Sequence, residues 1–180
     1  KRAWFATSGK LIAEMAWDGS QLLVNEEDSI HIGGELHGEA AKICKLDGWY
    51  YYMNAHWGNH DGVRQRMATV HRAKQMEGPW EGRLALENGN GTDRSPSQGT
   101  LLRLDDGSTW FIHQLARGEP DVRYNGRPQF LEPVTIKDGW PLIGVDTDDD
   151  GIGFLNHGQS SRRWGLLGDG AAGSHRCAVA

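Results

Sequence analysis

The stretch GEAAKICKLDGWYYYM, Gly38 to Met53, sets one carboxylate, Glu39, at the head of an alternating apolar run, closes the run with a tight turn and continues into four consecutive aromatics. A glutamate so placed is either a solvated strand end or an acid aimed into a pocket, and the residue type alone leaves both readings open. A second acidic motif, DTDDDG at Asp146 to Gly151, has aspartates at positions one, three and five and glycine at six, as a calcium loop does. Its eighth position is Gly153 and its twelfth is His157, where an apolar residue and a bidentate glutamate belong. It therefore reads as an acidic solvated turn, and no metal or other cofactor is assigned.

The elements that must position Glu39 are strands. AAKICK and GWYYYMNA flank LDG, and Asp-Gly is the strongest short hairpin signal because both turn residues must tolerate positive φ. RQRMATVHRA, TLLRL, STWFIHQLA, QFLEPVTI and WPLIGV continue the series, and no ten-residue stretch has helical apolar spacing. The expected fold class is all-β. The hairpins also recur. KICKLDGWYYYMNAH and LLRLDDGSTWFIHQL share an apolar strand, an Asp-Gly turn and an aromatic strand ending at a histidine, with Asp47 and Asp106 59 positions apart. A four-stranded repeat of about 40–60 residues is a propeller blade, so the chain holds roughly three, fewer than the four or more of a closed ring.

Composition bounds the partners. The 180 residues fit one domain, and 25 glycines with eight tryptophans describe a turn-rich, aromatic protein. A net charge of −5 argues against nucleic acid or an anionic membrane as main partner, and no apolar run is long enough to span a bilayer. Cys44 and Cys177 are too few for a disulfide framework, and localisation stays undetermined.

GEAAKICKLDGWYYYM, MATVHRAKQMEGPWEG, SQGTLLRLDDGSTWFIHQL and NGRPQFLEPVTIKDGWPLIG together resemble successive blades of glycoside hydrolase family 43, from about Trp4 to Gly153. The resemblance implies a five-bladed β-propeller, here incomplete, that cleaves xylose- or arabinose-containing plant polysaccharides or oligosaccharides. It implies an axial pocket with a base aspartate, a pKa-tuning aspartate and a glutamate acid, the last matched by Glu39. Both aspartates are expected upstream of Lys1, since Asp18 and Asp28 fall in turn contexts. Inversion needs one carboxylic acid to protonate the leaving oxygen and one carboxylate across the sugar to activate water, about 6.5–9.5 Å away. Plain alternation puts Glu39, Ala41 and Ile43 on one strand face, with Ala40 and Ala41 leaving room where inner strands converge. The family often has Gly-Pro-His where this chain has Ala40, Ala41 and Lys42.

The same resemblance implies a substrate contact at Arg127, a central histidine at His113 and a polar pocket contact at Gln98. His56 and Trp57, following the aromatic strand, are expected as a sugar-stacking platform at the rim. A carbohydrate substrate is thus the expected partner, with self-association through open sheet edges as a further expectation. Residues 1–153 are expected to form the propeller part and 154–180, rich in Gly, Ala, Ser and Arg, an irregular tail. The competing function class is a propeller that binds carbohydrate or protein without catalysis.

Overall fold

A computed structural model describes residues 1–60, 63–87, 94–117, 129–144 and 153–154. Twelve strands lie among them: β1 Ala3–Ala6, β2 Leu11–Met15, β3 Ile30–His31, β4 Gly38–Leu46, β5 Trp49–His60, β6 Val63–Ala73, β7 Glu81–Glu87, β8 Arg94–Arg103, β9 Thr109–Arg117, β10 Gln129–Lys137, β11 Trp140–Ile143 and β12 Gly153–Phe154. No helix occurs among the described residues. The strands form three sheets, ordered β1-β2-β3, β12-β7-β6-β5-β4 and β11-β10-β9-β8, antiparallel throughout except for the short parallel pairing of β12 with β7.

The turns follow from Asp-Gly chemistry. Asp47–Gly48 and Asp138–Gly139 each have positive φ at both residues, 50° and 77° and then 51° and 74°, which matches the right-handed twist of the strands they join. Asp106–Gly107 sits in a loop one residue longer: Gly107 alone takes positive φ, and Asp106 Oδ1 accepts from the Ser108 amide at 2.8 Å. Strand register corrects the apparent repeat. Lys45 pairs with Tyr50, and Arg103 with Thr109, so His113 falls at the register position of Asn54, and His56 at that of Leu115. The two histidines are not equivalent.

The middle sheet is buried on both faces, as a blade between neighbours must be. Alternation along β5 sends Tyr51 and Met53 into a core shared with Leu101, Phe111 and Ile143 of the third sheet. The intervening Tyr52 joins Ile12 of β2 and Ile32 just after β3. Tyr51, Tyr52 and Phe111 are fully buried, and each contributes on the order of 2–3 kcal/mol of apolar burial. The edge strand β4 packs against β8 on one side and β1 on the other, so the first strands of all three sheets converge. Sheets stacked face to face with their first strands converging are propeller blades, and two face-packed layers are excluded.

His71 on β6 lies in the interface with the first sheet. It is edge-on to Tyr52 at 5.7 Å, and its Nδ1 has no hydrogen-bond partner. Burial, with the charges of Lys10 and His37 adding to it, pushes its pKa down to about 4. The unfolded chain therefore binds more protons than the folded one between that value and the ordinary histidine range. Stability from this site is complete above the unfolded pKa and is lost as pH falls toward the folded one. Going from pH 7 to pH 5 should remove about 2 kcal/mol through His71, read from urea midpoints. His71→Gln should flatten that part of the slope, and an equal slope in the variant would rule the site out as its source.

Candidate active site

Glu39 opens β4, the strand nearest the other sheets, and its position is set by a bulge. Glu39 pairs with Ala55 and Lys42 with Met53, which sets two residues, Ala40 and Ala41, opposite the single Asn54. Ala40 adopts φ 57°, and its amide donates to Ser8 Oγ at 3.0 Å from the turn between β1 and β2. That turn is fixed in its own right, since Tyr52 Oη donates to Thr7 O at 2.7 Å and Lys10 Nζ donates to Gly33 O at 2.9 Å. Burial holds the Lys10 ammonium below its ordinary pKa.

The bulge corrects the face assignment. Ala41 and Ile43 pack with Tyr52 toward the first sheet, whereas Cys44 and Leu46 pack with Tyr51 toward the third. Glu39, opposite Ala55, belongs to the Tyr51 and Met53 side and so does not share a face with Ala41 and Ile43. It remains partly open to solvent, with 46% of its side chain exposed.

On that face Glu39 meets a residue that strand periodicity does not single out. Arg66 of β6 forms an ion pair with Glu39 Oε1, and its own side chain is only 14% exposed. Arg66 is paired with Trp57 across the β5–β6 ladder, and its guanidinium carbon lies 4.7 Å from the Trp57 ring centroid. Trp57 is 47% exposed, and Arg64 approaches the same ring at 5.8 Å. Glu39 on β4, Trp57 on β5 and Arg66 on β6 thus form a row running from the inner strand outward, with Arg66 reaching back over Trp57 to Glu39. The only sequence signal for Arg66 was an arginine inside RQRMATVHRA, a pattern indistinguishable from a solvated strand charge.

The other expected site residues are distributed around this row. His56 points to the opposite face, its Nδ1 2.6 Å from His37 O. Gln98 occupies the bulge of β8 that corresponds to the bulge at Ala40, 58 positions earlier, and it too has positive φ, 55°. Its Oε1 accepts from Gln114 Nε2. The bulge also brings Gly99 so close to Phe111 that a Cβ there would lie 2.2 Å from the ring. His113 is buried, stacked between Phe111 and Phe130 at 5.9 Å from each, with Nε2 3.8 Å from Glu132 Oε1. Arg127, the acidic turn at Asp146 to Gly151 and residues 155–180 lie outside the described residues. Among the described residues no three His, Cys, Asp or Glu side chains converge as metal ligands. A hollow at the turn end of the sheets is lined by Asp47, Arg103, Trp110 and Pro133 to Ile136, and Glu39 is not among its lining residues.

Three stacked sheets whose first strands converge, two of them with matching bulges, are blades of a β-propeller. The profile of Glycosyl hydrolases family 43 matches residues 6–141, and the chain belongs to that family. It is 44% identical over 153 residues to a β-xylosidase of Formosa agariphila, covering 79% of this chain and 25% of that protein. The chain therefore spans about a quarter of that relative's length. Among solved structures, a bifunctional GH43-CE protein of Bacteroides eggerthii superposes with a TM-score of 0.62 at 26% identity, over 93% of this chain and 20% of its own. An exo-1,5-α-L-arabinanase from a bovine ruminal metagenomic library superposes with a TM-score of 0.58 at 16% identity, over 80% of this chain and 52% of its own, and shares the fold.

Proposed function

We propose that this chain is the general-acid part of an inverting glycosidase acting on xylose- or arabinose-containing plant polysaccharides or oligosaccharides. The observation that carries the reading is Glu39, a partly exposed carboxyl held on the strand where the sheets converge by a bulge with its own hydrogen-bonded support. In the proposed step Glu39 gives its proton to the glycosidic oxygen as the bond to the anomeric carbon breaks. Water adds to that carbon from the opposite face and loses its proton to a second carboxylate. That carboxylate is assigned to the part of the family ring that the chain does not span. The β-xylosidase relative supports xylosides as the first substrates to try, and the arabinanase neighbour supports the fold.

The test uses the chain alone and the chain within a complete five-bladed ring. Aryl β-xylosides and α-L-arabinofuranosides should be turned over by the ring and negligibly by the chain, because protonating a leaving group achieves little without an activated water. The first product seen by proton NMR should have the inverted anomeric configuration. Retention of configuration, or sugar binding by the ring without turnover, would overturn the reading.

A further inference from the structure

We infer that Arg66 is a positioning residue for Glu39, holding the carboxylate with its guanidinium while the Trp57 ring holds the guanidinium in turn. The inference rests on the reading of Glu39 as the acid and adds to it the residue that sets its orientation. Three observations converge on it. Arg66 contacts Glu39 Oε1 directly, it is largely buried where Glu39 is half open, and its guanidinium carbon lies 4.7 Å from the ring centroid of an indole that is its cross-strand partner. A guanidinium held between a carboxylate and an indole has few alternative rotamers, so the oxygen it holds is directed as well as neutralised.

A planar donor that is itself held in place fixes the direction of the carboxyl it pairs with. The other charged and titratable groups near this position are Lys42 on β4, whose Nζ donates to Ala40 O at 3.1 Å, Arg64 on β6, and His37 and His56 toward the opposite face. The neighbouring strand β8 brings the uncharged Gln98 to the corresponding bulge, and the turn before β2 brings Ser8. Arg66 alone among these has an ion pair with Glu39.

Two readouts test this, both in the complete ring. Arg66→Gln should lower kcat on an alkyl xyloside, a poor leaving group, about tenfold or more with KM little changed, while a dinitrophenyl xyloside, which departs with little protonation, should lose about twofold or less. Arg66→Lys, which keeps the charge and loses the fork, should show a smaller loss of the same kind, and Trp57→Leu a smaller one again. In a Glu39→Gln background Arg66→Gln should add about twofold or less, because a residue that acts through Glu39 has nothing left to position. Unchanged urea midpoints identify folded variants, and Arg66→Lys serves in both readouts if Arg66→Gln does not fold. A loss from Arg66→Gln that is equal on the two substrates, or that persists undiminished in the Glu39→Gln background, overturns the inference and leaves the acid reading intact. Glu39→Gln losses that are small and equal on both substrates overturn both.

Discussion

Glu39→Gln, in a complete ring, is expected to lower hydrolysis of a xylo-oligosaccharide or alkyl xyloside by about 10²–10⁴-fold, while a dinitrophenyl xyloside loses about tenfold or less. The asymmetry follows from where the proton is needed. A sugar or alkyl oxygen leaves as a high-energy alkoxide unless it is protonated as the bond breaks, and glutamine has no proton to give at that oxygen. A dinitrophenolate is stable enough to depart unassisted. The substitution also removes the ion pair with Arg66, so some loss on both substrates comes from a displaced side chain, and the ratio between substrates isolates the proton transfer. The acid limb should survive in Glu39→Gln, because it belongs to the base, while the alkaline limb should disappear. Equal, small losses on both substrates would return Glu39 to the role of a solvated strand end whose partner is a stacked arginine.

What the sequence made legible, and what it hid, divides along local against non-local physics. The Asp-Gly turns were readable because positive φ at two successive residues is a local demand that few residue pairs meet, and Asp47–Gly48 and Asp138–Gly139 meet it. The double-sided burial of β5 was readable from four aromatics in a row, which a half-solvated strand would not carry. The bulges were not readable. Ala40 and Gln98 take φ values usually left to glycine or asparagine, and nothing in their side chains announces it. Since a bulge moves every residue beyond it to the other face, the alternation drawn through Ala41 and Ile43 put Glu39 on the wrong side. The apparent match of His56 with His113 fails for a simpler reason, since the aromatic strands are offset by 59 positions (Tyr50 to Thr109) and the two histidines by 57. Arg66 was hidden for a different reason: its partners Trp57 and Glu39 are fixed by pairing of three strands, and register between strands is a tertiary property.

Arg72→Ala is expected to destabilise the chain by about 3 kcal/mol, a large loss for a side chain that lies at the edge of the core. Its guanidinium carbon sits 4.3 Å from the Trp49 ring centroid in the second sheet and 4.0 Å from that of Trp140 in the third, so one cation is clasped between indoles of two blades. Lys74 continues the stack beyond Trp49 at 3.8 Å, and Arg83 lies over Trp140 at 4.5 Å. Arg72 also donates from Nη2 to Glu81 Oε2 at 3.1 Å and from Nη1 to Asp138 O, in the turn of the third sheet. The same turn accepts from Tyr51 Oη through Gly139 O at 2.9 Å. This end of the blades is thus joined by stacked cations and a docked turn, and the opposite end carries Glu39. Each desolvated cation–π contact is worth about 1–2 kcal/mol, and the hydrogen bond to a carbonyl about 1–2 more, which outweighs the rotamer freedom regained on truncation. Arg72→Met should recover the apolar part of the loss and Arg72→Lys only part of the charge term, because an ammonium cannot lie flat between two rings. Urea midpoints of the four proteins, followed by tryptophan emission, order them parent, Lys or Met, Ala. A double-mutant cycle with Trp140→Leu should show a coupling above about 1 kcal/mol. Additive losses would mean that the two blades are held by their apolar core alone, with Arg72 serving only the Asp138 turn.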